Sequence, residues 1–383
     1  MRGRFSVLKE LNVSLAMIED VVMLRFAKQV ILTSLAVVFA LTFVSCDDKM
    51  FESEGDCEVT HIVRFRYDLN LKWADAFPSE VNSVNLYVFD SNGVFVKEYL
   101  GRGEDLTSPD YCITLDLPVG DYKFVAWCGL ENDGVEMKSF TVPQPVAGVT
   151  MIEELTCALN TKRAALRSSE DDTIEYSDER LNFLYHGYME VSIVDDHDGQ
   201  TFEHVMYLTK NTNHVRIILQ ELTGDGMDKN DYEFTIEDTN GFMEYNNELR
   251  GSSVVTYKPW NQDSDELGVG KDEAETGLQY VRGVYADLTL GRMMASHKND
   301  MMLTIRNTKT QKVIARVPIL QYALLSKDYY EEAYKHKMVN DQEFLDREDE
   351  YVLTFFLKGG EWEKSVILIH SWRVVLHDYD LGA

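Results

Sequence analysis

VNLYVFDSNGVFVKEY, Val84 to Tyr99, sets two β-rich runs on either side of Asp90-Ser91-Asn92-Gly93. Val, Leu, Tyr and Phe suit the pleated, half-buried surface of a strand, and Asn-Gly between two such runs is hairpin chemistry, because Gly accepts the positive φ that a tight turn imposes. The text on either side has the same character. Upstream, CEVTHIVRFRY (Cys57 to Tyr67) has period two, with Val59, Val63 and Phe65 on one face. Downstream, in YCITLDLPVGDYKFVAWCGL, Pro118 and Gly120 separate two strands whose inward residues are Ile113, Leu115 and Leu117, then Phe124, Ala126 and Cys128. KSFTV (Lys138 to Val142) and TCALN (Thr156 to Asn160) follow. About seven short strands with turn signals every 8 to 12 residues describe a β-sandwich of roughly a hundred residues, here residues 57–160.

Beyond it, Thr161 to Glu179 is charged and Ser-rich and reads as a linker. Strands resume with MEVSIV near Met189, EHVMYLTK near Val205, HVRIILQEL from His214, and DYEFTIEDTNGFMEY, whose Asp238-Thr239-Asn240-Gly241 is another turn. Asn261 to Thr276 holds few large apolar residues and reads as a mobile surface loop. VYADLTL, MMLTIRN and KVIARVPIL follow, then one short helix around Lys327 to Met338, then YVLTFFL and SVILIHSW. Residues 161–383 are thus expected to form a second, larger β-sandwich with insertions, and the chain to be all-β.

In front of these domains lies MLRFAKQVILTSLAVVFALTFVSCDD, Met23 to Asp48. Arg25 and Lys28 form a cationic start, the 15 residues from Val30 to Val44 carry no charge, and Ser45 precedes Cys46. That is the layout of a bacterial lipoprotein signal, and the apolar run falls short of the roughly 20 residues that span a bilayer. Three residues before the cysteine, where Leu is usual, stands Phe43, with Leu41 two further back. Cys46 is the expected lipidation site, residues 1–45 lead and signal peptide with Met23 the expected start, and residues 46–56 an acidic tether. Asp47 and Asp48, directly behind the cysteine, match an export signal for the outer leaflet.

The whole chain has a net charge of −28, and the part after residue 45 holds 62 acidic residues against 32 basic ones. Such a surface repels phosphate backbones, which argues against nucleic acid as a partner. Cys57, Cys112, Cys128 and Cys157 contain no CxxC pair, so zinc is not expected; in an exported domain they are candidates for one or two disulfides, with three connectivities open. No HExxH, GxSxG or phosphate-cradling glycine loop occurs, which argues against the common hydrolases. The acidic runs Asp195-Asp196-His197-Asp198-Gly199 and Asp225 to Asp231 lack the calcium-loop spacing and read as solvated loops. His370 and His377, seven apart on a strand, fall on opposite faces and do not form a ligand pair. Trp73, Trp127, Trp260, Trp362 and Trp372 could build a sugar-stacking platform, although Trp127 and Trp372 sit inside strand patterns that favour core packing.

Taken in order, NLYVFDSNGVFVKEY, LPVGDYKFVAWCGL, LYHG at Leu184, DYEFTIEDTNGFMEYNN, and QEFLDREDEYVLTFFL with ILIHSW resemble the anchor and minor fimbrial subunits of Bacteroidia type V pili, the FimB-type fimbrial anchor family. The likeness spans nearly the whole chain after the signal, and the block from Gln342 to Trp372 is its most specific part. It implies two tandem transthyretin-like β-sandwich domains and a lipidated N-terminus on the outer membrane. It further implies a place at the base of a fimbrium beside fimbrillin stalk subunits, with neither catalysis nor a cofactor. Stalk subunits of that family lose their first strand to proteolysis and receive a donor strand in its place, whereas an anchor must keep the strand that joins its body to the lipid. Here that strand carries Arg64 and Arg66, and whether an Arg-specific protease spares them turns on burial. A surface lipoprotein that binds glycan or a host ligand, as an accessory or tip adhesin, is the alternative reading.

Overall fold

Period-two alternation carries most of the chain into strands, and the computed structural model describes residues 59–132, 135–136, 139–166, 169–195, 200–223, 226–251, 253–270, 278–369 and 372–377. The first strands in chain order are β1 (Thr60–Arg66), β2 (Ser83–Asp90), β3 (Phe95–Arg102), β4 (Cys112–Leu115) and β5 (Gly120–Cys128). Next come β6 (Lys162–Leu166), β7 (Ser169–Ser177), β8 (Tyr185–Ile193) and β9 (Thr201–Tyr207). Then follow β10 (Asn213–Glu221), β11 (Tyr232–Asp238), β12 (Val255–Tyr257), β13 (Asn261–Gly270), β14 (Leu278–Leu290), β15 (Met302–Asn307) and β16 (Val313–Pro318). The last are β17 (Glu350–Lys358), β18 (Glu361–Ile369) and β19 (Trp372–His377).

β1 is the middle of a three-stranded sheet, β9-β1-β4, parallel to β9 and antiparallel to β4. Facing it is a five-stranded sheet in the order Thr209–Lys210, β8, β5, β2, β3. Val63, Phe65, Ile113, Leu115 and Met206 from the first sheet pack on Val84, Leu86, Val88, Phe124 and Ala126 from the second, each of the side chains larger than alanine contributing about 1.5–3 kcal/mol of burial. β2 is buried along almost its whole length, without alternation, because the far face of its sheet is covered too. There Tyr87, Phe89, Val125 and Trp127 meet Phe140, Ile152, Leu155 and Cys157, in a core that continues into a second pair of sheets. Those are six-stranded, ordered β6-β7-β12-β11-β15-β16 and β13-β14-β10-β17-β18-β19.

Three stretches depart from what the sequence leads one to expect. Thr161 to Glu179 holds the hairpin β6–β7, in which Arg163 stands opposite Glu175 and pairs with it at 2.9 Å, so its charges are cross-strand partners. Asn261–Gly270 is likewise a strand, registered on β14 from Asn261↔Asp287 to Gly270↔Leu278; its acids suit an edge strand, where charge discourages further pairing. The strands near Met189 and Val205, expected in the C-terminal sandwich, are β8 and β9 of the N-terminal sheets: β8 pairs with β5 from Tyr185↔Cys128 to Ile193↔Gly120, and β9 with β1. Periodicity says that a stretch is a strand but not which sheet it joins.

Among the described residues four short α-helices interrupt the strands: α1 (Phe77–Glu80), α2 (Ile319–Leu324), α3 (Lys327–Tyr334) and α4 (Asp341–Arg347). α3 matches the expected helix and stops at Lys335, which adopts φ 55°. α4 begins where the Asn340 side chain accepts the Glu343 N–H at 2.9 Å while Glu343 accepts the Val339 N–H. Cys112, Cys128 and Cys157 are free thiols rather than the expected disulfide partners of one another; Cys128 and Cys157 are fully buried, in separate cores, while Cys57 lies outside the described residues.

Candidate functional site

β1 presents His61, Val63 and Phe65 inward and Ile62, Arg64 and Arg66 outward, the alternation its sequence predicts. It is paired from Thr60↔Thr201 to Arg66↔Tyr207 on one side and from His61↔Leu115 to Arg64↔Cys112 on the other. Arg64 forks onto Glu203 across the strands at 3.0 and 3.4 Å, which raises its pKa, and Arg66 lies 3.8 and 3.9 Å from Asp68 and Asp75. Near the start of the strand, the His61 Nε2–H donates to Val194 O (2.9 Å), which leaves Nδ1 to accept from His204 Nε2 at 3.0 Å.

The other end of β1 runs into a loop, residues 67–76, that folds on itself. The Tyr67 N–H donates to Asp75 Oδ1 (2.9 Å), the Ala76 N–H to Tyr67 O (2.9 Å), and Asn70 Nδ2 to Tyr67 O and Ala74 O (2.9 and 2.8 Å). The two helices α3 and α4 clasp this loop. Tyr330 Oη–H donates to Leu71 O at 2.7 Å, and Arg347 Nη1 donates to Asp68 O and Asn70 O at 3.1 and 3.3 Å. The Arg347 guanidinium also lies 3.4 Å from the centroid of the Trp73 ring, against which His336 packs at 3.7 Å. Trp73 holds φ at 53°, a left-handed value that bulky residues rarely adopt, so these partners keep the residue in a conformation it would otherwise leave.

Beside the clasp, the segment Asp346 to Glu350 sends successive side chains to different parts of the molecule. Asp346 accepts from Arg292 at 3.1 Å; Arg347 holds the loop; Asp349 accepts from the ammonium of Lys210, which also donates to Glu80 Oε2 at 3.2 Å. Glu80 in turn accepts from Tyr185 Oη at 2.9 Å. Lys210 is buried, and breaking such a pair by removing one partner costs several kcal/mol because the other charge stays behind. Glu348 points inward, and burial pushes its carboxyl up to about 8. The arrangement binds the end of the first strand to the start of β17, the strand that runs parallel to β10 in the middle of the C-terminal sheet.

Of the residues singled out from sequence, Cys46, Asp47, Asp48 and Cys57 lie outside the described residues. Trp127 is buried, Trp73 is covered by Arg347 and His336, Trp260 lies under Arg180 at 5.4 Å, and Trp362 packs on Phe355 at 5.9 Å, so these four form no shared platform. Trp372 is placed in β19, with its side chain outside the described residues. Asp228 caps a short 3-10 turn by accepting the Asn230 N–H (2.9 Å), and Asp231 pairs with Lys309 at 2.7 Å; residues 196–199 and His370 lie outside the described residues. Among the described residues no cluster of three or more His, Cys, Asp or Glu side chains could hold a metal ion, and no helix is long and apolar enough to cross a membrane. The clasp and the buried Lys210 were missed from sequence. Their signal was the dense run of charge in DREDE, one arginine among four acids, placed directly before a strongly apolar strand, where solvated charge is not expected.

The family of fimbrillin-A associated anchor proteins Mfa1 and Mfa2 matches residues 53–378. Among solved structures, an adhesin candidate of Bacteroides thetaiotaomicron is 30% identical, with 85% of this chain and 100% of that chain covered and a TM-score of 0.69. A second protein of that organism, described as a candidate polysaccharide-binding protein, is 26% identical over 84% of this chain and 99% of its own, with a TM-score of 0.65. The fimbrial anchor protein Mfa2 of Porphyromonas gingivalis shares the fold at 16% identity and a TM-score of 0.56, over 84% of this chain and 99% of its own. No curated protein sequence matches the chain.

Proposed function

Since the chain belongs to the family of fimbrillin-A associated anchor proteins, we propose that it fixes a fimbrium to the outer membrane through acyl chains on Cys46. Asp47 and Asp48 act as the surface-sorting signal, and a fimbrillin stalk subunit is joined by strand contacts at an open sheet edge. The observation that carries this reading is the state of β1. The strand directly behind the tether is in place, hydrogen-bonded on both sides and locked at its end by the α3–α4 clasp. A stalk subunit that receives a donor strand has to vacate that position; a subunit that hangs from its N-terminus has to keep it.

Backbone pairing also protects the strand, although the Arg64 and Arg66 side chains face outward. The peptides around Arg64 and Arg66 lie in a paired strand, and a protease reaches such bonds only through an opened state whose population falls with local stability. A diacylglyceryl group with an N-acyl chain, at about 0.8 kcal/mol per buried CH₂, makes the membrane attachment effectively permanent. Tension entering at Cys46 then reaches β1 and passes into the body through both neighbouring strands.

The test is to express only the Cys46→Ala chain, in a strain with no active paralogue, and to measure stalk subunit in cells and medium. The expected result is a normal amount of polymer, shed into the medium. Stalk retained at wild-type levels would instead favour an accessory or tip adhesin, the reading suggested by the relatives described as adhesin and polysaccharide-binding candidates.

A further inference from the structure

Lys210 is buried, and its ammonium touches carboxylates from two distant parts of the chain. Asp349, the closer of the two, stands directly before β17, while Glu80, the last residue of α1, accepts from Nζ at 3.2 Å through Oε2. The Tyr185 hydroxyl donates to the same Glu80 oxygen at 2.9 Å, and the rings of Phe183 and Tyr185 stand 3.8 and 5.9 Å from Nζ. An ion pair needs one carboxylate. Here two share one ammonium that is screened from water, where keeping charges is costly. The trio also holds what an acyl transfer needs: an amine, a carboxyl carbon for it to attack, and a second carboxylate to move the proton between them.

We propose that Lys210 Nζ and Asp349 Cγ condense into an amide, an intramolecular isopeptide crosslink, with Glu80 as the proton carrier. The ammonium first gives a proton to the Asp349 carboxylate, leaving a neutral amine beside a neutral acid. The nitrogen lone pair then forms the N–C bond at Cγ while the C=O π pair moves onto oxygen. Glu80 takes a second proton from the positively charged nitrogen and delivers it to the Asp349 hydroxyl. As the carbonyl re-forms, the C–O bond breaks and water leaves. One proton stays on the amide nitrogen, two depart in the water, and Glu80 is a carboxylate again, so no oxidant or co-reactant is required. Condensation is unfavourable between free groups in water, but holding the reactants in contact supplies an effective molarity of about 10⁵–10⁸ M when they are well oriented. The Asp349 side chain is 30% exposed, which gives the water a way out. The crosslink ties Thr209–Lys210, at the edge of the five-stranded sheet, to the start of β17, across a separation of 139 residues. It stands independently of the anchoring role.

Tryptic mass spectrometry of the purified, denatured full chain tests it. Wild type should yield a branched species that joins segment 181–216, left uncut at Lys210, to segment 348–358, and that is lighter by one water than the two peptides together. Glu80→Gln, which keeps Lys210 and Asp349 but carries no proton between them, should lower the yield of that species tenfold or more. Ordinary cleavage at Lys210 in wild type, with no branched species, would overturn the proposal. A branch from Lys210 to Glu80 in place of Asp349 would do the same, as would an undiminished yield in folded Glu80→Gln. The wild-type digest decides by itself if that variant does not fold. It requires no fimbriae, so its failure and failure of the anchor reading are separate outcomes.

Discussion

Glu348 is 1% exposed, and its Oε1 accepts the Glu350 N–H at 2.9 Å. Burial raises its pKa from 4.5 to about 8, so between those values the unfolded chain carries a charge there that the folded chain does not. Its contribution is fully present below about pH 4.5 and is lost as pH rises through 8, at about 1.4 kcal/mol per unit. His186 works the other way. Burial lowers its pKa from 6.5 to about 3, so its stabilisation holds above 6.5 and is lost as pH falls toward 3. Glu348→Gln, which keeps an acceptor for Glu350, should therefore gain on wild type at pH 8 relative to pH 5, and Tm at the two values checks it; an equal difference at both would mean that Glu348 titrates normally. The two buried cysteines make a second test at this scale. Burial pushes both the Cys128 and Cys157 thiols well up, away from the reactive thiolate, so iodoacetamide on native protein should modify Cys112 well before either. Mass spectrometry of the alkylated chain reads the order directly. That Val63 and Phe65 face inward was legible in the alternation of β1. That Lys210 is buried was not, because its partners Glu80 and Asp349 lie 130 and 139 residues away and no local pattern predicts their meeting.

At the scale of elements, the sequence yielded strands readily where apolar alternation was strong and missed them where charge dominated, as in β6, β7 and β13. In β6 and β7 Arg163 pairs with Glu175 across the hairpin, and β13 is an edge strand with polar partners: Lys229 pairs with Asp263 at 3.0 Å, and Gln262 donates to Lys229 O and Tyr232 O. Local composition therefore looks like a loop although pairing makes a strand. The clasp is likewise an agreement between distant elements, since α3 and α4 hold a loop that lies more than 250 residues earlier in the chain. Its worth can be measured. Arg347 combines two carbonyl bonds, a stacking contact with Trp73 and an ion pair to Glu343 at 3.0 Å, and Lys can reproduce the charge but not the planar fork. Arg347→Lys should lower stability by about 1–2 kcal/mol and Arg347→Ala by about 3 kcal/mol, read from urea midpoints at constant slope. A lysine variant as stable as wild type would show that the fork and the stacking contribute nothing and that only charge matters there.

For the whole molecule, the anchor reading makes a claim about where the load-bearing covalent link lies. Residues 46–56 are acidic and poor in large apolar side chains, with little to bury, and β1 follows within a few residues. If the lipid on Cys46 is the only hold on the membrane, one cut in the tether must free the folded body and everything joined to it. A cut in β1 should be difficult, because that strand is paired on both sides and its far end is clasped. A specific protease site inserted between Ser53 and Gly55 separates these cases in intact cells. Protease treatment should release this chain and the stalk subunit together, with the β1 strand still on the released body and Arg64 and Arg66 uncleaved. Release of the chain with the stalk left on the cells would place the stalk's attachment elsewhere. Cleavage without release of either would mean that the body has a second hold on the membrane, and the anchor would then have to be sought in a sheet edge or surface patch instead of in the lipid.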